Sequence, residues 1–182
     1  MKSFFVFLWE ITKIVVVAAV IVLPIRYFLF QPFLVKGQSM EPNFSNGDYL
    51  IIDQLSYRLR EPQRGEVVVF KYPNLPSQRY IKRIIGLPGE TVEIKDGKVA
   101  VSGTVLGEID YLGEFVYTDP REFRTINLAD NEYFVLGDNR IASSDSRIWG
   151  PLPRENIIGR VLIRAWPFAA LAKIELPSYQ PE

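Results

Sequence analysis

The chain of 182 residues contains no histidine and no cysteine. Without them, Ser-His-Asp hydrolases, Cys-His proteases, HExxH zinc enzymes, zinc fingers and disulfide scaffolds are all excluded together. Acid–base chemistry in this chain must therefore fall to Lys, Asp, Glu or Tyr. Net charge is also lacking, since 21 Lys and Arg balance 21 Asp and Glu, and nothing in that balance makes a nucleic-acid footprint. With 48% hydrophobic and 23% charged residues, the composition is that of a folded chain and not of a disordered one.

What is present begins with an apolar N-terminus. Phe4 to Phe30 is dominated by aliphatic and aromatic residues, and its uncharged stretch runs from Ile14 to Ile25. A helix rising about 1.5 Å per residue over this region reaches across a ~30 Å hydrocarbon core. Glu10 and Lys13 can pair on one helix face, and Arg26 can snorkel. A cleaved leader would need small residues after the apolar core, but Leu23, Pro24, Ile25, Arg26 and Tyr27 follow. Residues 1–32 are therefore expected to be a retained membrane anchor. Its orientation is not set by charge, because Lys2 and Lys13 are matched by Arg26 and Lys36.

Beyond Phe33 the pattern becomes strand-like. Short β-branched or aromatic runs stand at Tyr49–Ile52, Glu66–Phe70, Tyr80–Ile85, Thr91–Ile94, Tyr133–Leu136 and Ile157–Trp166, separated by Gly, Pro, Asn and Asp. Asp96-Gly97 predicts a tight type I′ hairpin. Only Gln54–Arg60 and Phe168–Ile174 fit a short helical turn. The expected fold is mainly β: an N-terminal transmembrane helix, then an antiparallel β catalytic domain over 33–176 with a small β excursion at about 98–127, and a frayed tail at 177–182.

With histidine gone, an activated serine needs lysine as its base. Such a lysine must be neutral, so its ordinary pKa of ~10.4 has to fall, which burial among apolar groups achieves. Lys82 lies inside Tyr80-Ile81-Lys82-Arg83-Ile84-Ile85, where the two-residue period places Tyr80, Lys82 and Ile84 on one face and Arg83 on the other. Ser39 lies in Gly37-Gln38-Ser39-Met40-Glu41-Pro42, after an extended apolar run and before a turn. Alone, each has a plainer reading: an edge-strand lysine that deters aggregation and a turn serine that bonds its own backbone. The polar stretch Gly137 to Arg147 likewise reads, alone, as a solvated loop pinned by an Asp-Arg pair.

In order, Gly37-Gln38-Ser39-Met40-Glu41-Pro42, Arg64-Gly65-Glu66-Val67-Val68-Val69-Phe70, Tyr80 to Glu90, and Gly137-Asp138-Asn139-Arg140 through Ser143 to Asp145-Ser146-Arg147 resemble bacterial type I signal peptidase, the Ser-Lys peptidase family. The resemblance runs from the anchor to about Trp166. It implies a membrane-bound serine endopeptidase that cleaves signal peptides from secretory preproteins after a small residue, at an Ala-x-Ala-like site. By the same resemblance Ser39 is the nucleophile and Lys82 the general base. Ser143 would hold the lysine amine, and Asp145 and Arg147 would form a structural ion pair. Phe33, Val35, Met40, Leu50, Val69, Ile81 and Ser144 would line the shallow pockets for small side chains. No metal or cofactor is implied. Membrane phospholipid and the protein-export machinery are the further partners expected, and the catalytic domain would face outward from the cell (plasma or inner) membrane on a single-pass anchor.

Two residues depart from the family pattern. Gly37 stands where many members carry a hydroxyl that helps form the oxyanion hole, and that hole would rely on the Ser39 N–H. Asn43 stands where Thr is usual, a change expected to affect the turn and not the reaction. Relatives of the endoplasmic-reticulum type use His as base, which this chain lacks. Trp149 and Trp166 are candidates for seating the domain at a lipid surface. Two other readings compete: a self-cleaving Ser-Lys regulator, against which the anchor and the missing helix-turn-helix speak, and a catalytically silent, membrane-anchored β module that binds extended peptides.

Overall fold

A computed structural model describes residues 2–24, 30–113, 116–121 and 125–179. The apolar N-terminus forms helix α1 (Lys2–Pro24), whose segment Phe4–Leu23 is long and apolar enough to cross a membrane and has none of its residues buried against the rest of the protein. Glu10 and Lys13 pair along it at 2.8 Å, one turn apart.

The remainder is built mainly of antiparallel strands. β1 (Phe30–Leu34), β2 (Tyr49–Asp53), β3 (Val67–Tyr72), β4 (Leu75–Gly86), β9 (Glu132–Leu136), β10 (Leu152–Pro153), β11 (Ile157–Trp166) and β12 (Ala172–Lys173) make one sheet. Its order is β1-β2-β11-β3-β4-β9-β10, with β12 pairing on β11. β5 (Thr91–Lys95), β6 (Lys98–Val101), β7 (Thr104–Val105) and β8 (Thr125–Asn127) make a second sheet, ordered β7-β6-β5-β8. Short helical turns α2 (Ser56–Leu59), α3 (Ile109–Leu112) and α4 (Ser146–Trp149) connect the strands.

The β-branched runs identified in the sequence lie within these strands because each buries alternate residues on opposite faces. Val67, Val69 and Ile81 enter one core cluster with Val35, Met40, Leu50 and Val161. Val68, Phe70 and Ile84 enter a second with Tyr133, Val135 and Leu152, against which Tyr80 and Trp149 pack. Trp149 is thus half-buried against the core, in ring contact with Phe70 and Tyr72, and not a free surface anchor. Trp166 is 51% exposed. Asp96 and Gly97 both take positive φ, 51° and 78°, as a type I′ hairpin between β5 and β6 requires.

Two expectations about extent change. The β excursion starts before residue 98, since β5 is an inner strand of the second sheet, and Lys98–Val101 does alternate between exposed and buried positions. The chain after Leu176 is docked and not frayed at 177–179: Pro177 and Tyr179 lie against Gly65, and Tyr179 meets Tyr111 edge-to-face. Their aromatic and pyrrolidine surfaces find an apolar seat that no local pattern reveals. Residues 180–182 lie outside the described residues, as does part of the anchor expected over 1–32.

Candidate active site

Ser39 lies in a tight loop that links β1 to β2. Val35 N–H donates to the Asp48 carbonyl at 2.9 Å, Gly47 N–H to the Val35 carbonyl at 3.0 Å, and Phe44 N–H to the Met40 carbonyl at 2.9 Å. Gly37 has φ +89°, a conformation that favours glycine, and its N–H donates to Asn46 Oδ1 at 3.0 Å. The loop is closed from the far side of the chain. Asn139 N–H donates to the Ser39 carbonyl at 3.1 Å, and Asn139 Nδ2 donates to the Gln38 carbonyl at 3.2 Å.

Lys82 reaches this loop from β4. Its Nζ lies 2.7 Å from Ser39 Oγ and donates to the Ile81 carbonyl at 2.8 Å. The side chain is 3% exposed. Burial lowers its pKa to about 8, against the charges of Asp145 and Asp138, which pull it upward. Those charges are limited because each acid holds its own arginine. Arg147 forks onto Asp145 through Nε and Nη2, both at 2.8 Å, with both side chains fully buried. Arg83 forks onto Asp138 at 2.9 and 2.7 Å. Burial works to raise the Asp145 pKa, but the Arg147 hydrogen bonds and charge prevail and hold it below its ordinary value.

Asp145 also organises the backbone. Its side chain caps α4 by accepting from Arg147 N–H and accepts from Gly137 N–H at 3.1 Å. At Gly137 an added Cβ would fall 2.2 Å from Ser143 Oγ and 2.4 Å from the Ser39 carbonyl oxygen, so only glycine lets the loop approach the serine this closely. Ser143 is buried, and its hydroxyl lies close enough to Asp145 to help hold that carboxyl low.

These groups border an open cavity of about 630 Å³ whose walls include Phe33, Leu34, Ser39, Ile81, Lys82 and Ser144. Among the described residues β1 pairs only with β2, and the first half of β4 pairs only with β3, so each offers a free strand edge there. A serine oxygen 2.7 Å from a buried amine of lowered pKa, beside free strand edges, has the parts needed for nucleophilic attack on an extended peptide.

Residues 8–166 match the family model for signal peptidase, peptidase S26. The chain belongs to the signal peptidase family. It is 40% identical to the probable signal peptidase I-2 of Synechocystis sp. over 87% of this chain and 73% of that protein. It is 35% identical to the signal peptidase I of Leptolyngbya laminosa over 93% of this chain and 85% of that one. A crystal structure of a signal peptidase I from Enterococcus faecalis aligns with 56% of this chain and 97% of its own, at 35% identity and a TM-score of 0.49.

Against the expectations for a signal peptidase, Ser39, Lys82, Ser143, Asp145 and Arg147 come together. Phe33, Ile81 and Ser144 line the cavity. Val35, Met40, Leu50 and Val69 lie in the buried cluster with Ile81. Asn43 does more than shape a turn: its Nδ2 donates to Asp138 Oδ2 at 2.9 Å and to the Tyr111 carbonyl at 2.8 Å, tying the serine loop to the acid. Sequence reasoning missed three charged supports, two of them on buried arginines. Arg83 holds Asp138, Arg140 forks onto Glu108 at 2.7 and 2.6 Å, and Arg164 lies 3.2 Å from Asp48. A charged residue inside an otherwise apolar strand, as Arg83 is, was the available sign of the first.

Proposed function

We propose that this signal peptidase family member removes signal peptides from exported preproteins by a Ser39–Lys82 dyad. The observation that carries the reading is the buried Lys82 amine, lowered to about 8, at 2.7 Å from Ser39 Oγ. Neutral Lys82 takes the Ser39 proton, and the oxygen attacks the scissile carbonyl. Protonated Lys82 then returns the proton to the leaving amine. Water, deprotonated by the same lysine, hydrolyses the acyl-enzyme and frees Ser39. Ser143 Oγ, buried beside Asp145 and across Gly137 from the Ser39 carbonyl, is the group that receives the lysine amine once Ser39 is acylated. The oxyanion is held by the Ser39 N–H, since Gly37 offers no hydroxyl and its own N–H is taken by Asn46.

The substrate lies extended between the free edges of β1 and β4, pairing through its backbone. Phe33, Ile81 and Ser144 leave room for small side chains before the cut, and Val35, Met40, Leu50 and Val69 set the depth from beneath. Residues 1–32 anchor the catalytic part, residues 33–176, in the plasma or inner membrane as a single pass, with the catalytic part on the outer face. The exposed side chains of Leu34, Tyr49, Trp166, Phe168 and Leu171 meet phospholipid there.

The test incubates the full-length protein, in mild detergent with phospholipid, with a preprotein bearing an Ala-x-Ala site, and reads the cleavage position by mass. A cut directly after the second alanine, lost in Ser39→Ala and Lys82→Ala, is the expected result. A folded wild-type protein that binds the peptide but leaves it whole would remove the peptidase reading.

A further inference from the structure

The short segment after Leu176 covers the back of the catalytic loop. Pro177 Cδ and Tyr179 Cε2 lie 2.9 and 3.1 Å from the position a Cβ would take at Gly65, so the bare glycine is what seats them. The Gly65 carbonyl accepts from Arg83 Nη1 at 2.9 Å, and Arg83 is the partner of Asp138. The Arg83 guanidinium also lies over the Tyr111 ring, 4.3 Å from its centroid, and Tyr179 meets the same ring at 6.0 Å and 83°. Ser178 Oγ donates to Asp110 Oδ2 at 2.5 Å and fixes the segment's height. The Tyr179 hydroxyl is buried and also interacts with the Tyr111 side chain, so ring and oxygen both face that residue.

From Tyr179 a continuous set of contacts leads to the nucleophile. Tyr179 packs on Tyr111, Tyr111 lies over Arg83, Arg83 holds Asp138, and Asp138 accepts from Asn43 of the serine loop. The next residue, Asn139, donates to the Ser39 carbonyl. We infer that Pro177–Tyr179 form a strap, with Tyr179 a positioning residue that keeps water from the Arg83–Asp138 pair and so holds the Gly137–Asn139 loop against Ser39 and Lys82. The strap acts on the site proposed above and rests on that reading. Removing its ring admits water behind the pair and loosens the loop. The better-hydrated Lys82 then moves back toward an ordinary lysine pKa.

Full-length Tyr179→Ala and Tyr179→Phe are compared with wild type for kcat, KM and the pH dependence of preprotein cleavage. Amide exchange of Asn139 and the thermal midpoint are measured alongside. For Tyr179→Ala the expected result is a roughly tenfold fall in kcat at unchanged KM, the rate equivalent of one lost aromatic contact. The pH midpoint moves upward and Asn139 exchanges faster. Tyr179→Phe keeps wild-type values within about twofold, because the ring that seats against Gly65 and Tyr111 is retained. A chain stopped after Leu176 should match Tyr179→Ala. If Tyr179→Ala keeps the wild-type midpoint and Asn139 exchange, the strap is overturned, even where thermal stability falls. Loss of cleavage by wild type itself would sink the peptidase reading alone, since Asn139 exchange still tests the strap.

Discussion

Lys82 and Arg83 are neighbours in β4, and each is 3% exposed, yet the two faces of the strand treat their charges in opposite ways. On the Arg83 face Asp138 forks onto the guanidinium, Tyr111 covers it, and the Gly65 carbonyl takes a further N–H. On the Lys82 face the amine has a hydroxyl and a carbonyl but, among the described residues, no carboxylate in hydrogen-bond contact, and burial lowers it to about 8. The comparison shows how one strand can hold a permanent cation and an amine of lowered proton affinity side by side. The difference lies in where the acids spend their hydrogen bonds. Asp138 and Asp145 are near enough to pull Lys82 upward, but each is held by its own arginine.

The comparison can be broken most severely at Lys82 itself. Lys82→Arg puts a permanently charged group at the base position, and kcat should fall by about 10³-fold or more, equivalent to about 4 kcal/mol, measured as preprotein cleavage. In the proposed Ser39–Lys82 mechanism the neutral amine is the active form, so the rate should climb tenfold per pH unit below about 8 and level off above it. A flat profile between pH 6 and 9 would contradict the assignment of Lys82 as base.

On the other face, Asp138→Ala leaves Arg83 buried and unpaired, and unfolding in detergent should show a loss of about 3–5 kcal/mol. Equal stability would mean that water reaches Arg83 and that the faces are not so different. Lys82→Met should do the reverse. The lysine pKa is depressed on folding, so the unfolded chain holds the proton more tightly between about 8 and its ordinary value. The cost is therefore present in full below pH 8 and fades as pH rises toward 10. Lys82→Met should gain about 2–3 kcal/mol at pH 7 and little at pH 10, by chemical denaturation at both pH values.

The smallest effect is expected at Gly37. Among the described residues beyond its chain neighbours, no atom lies within 4 Å of an added Cβ, so the positive φ is what opposes Gly37→Ala, which should cost about 1 kcal/mol in the same assay. A larger loss would place the Gly37–Asn46 bond among the main supports of the serine loop.

The strands were legible wherever β-branched runs alternated between turn residues, as at Val67–Tyr72 and Glu132–Leu136. So was the hairpin at Asp96-Gly97, because its turn chemistry is local. The tail was not legible: Pro177 and Tyr179 look like exposed residues until Gly65, far earlier in the chain, supplies the gap they fill. The Arg83–Asp138 pair was equally hidden, with its partners 55 residues apart. Trp149 and Trp166 looked alike as sequence, and only packing set one against the core and left the other at the surface.

By itself the sequence determined which chemistries were open. Lacking histidine and cysteine, it left a serine and a lysine in ordered motifs as the available dyad, and its short periodic runs specified antiparallel strands. Residue type and spacing are local properties, and such conclusions depend on nothing else. Tertiary structure decided whether that lysine could act as a base. Its proton affinity depends on how deeply the amine is buried and on which distant acids are already paired, and neither quantity exists until the chain has folded around it.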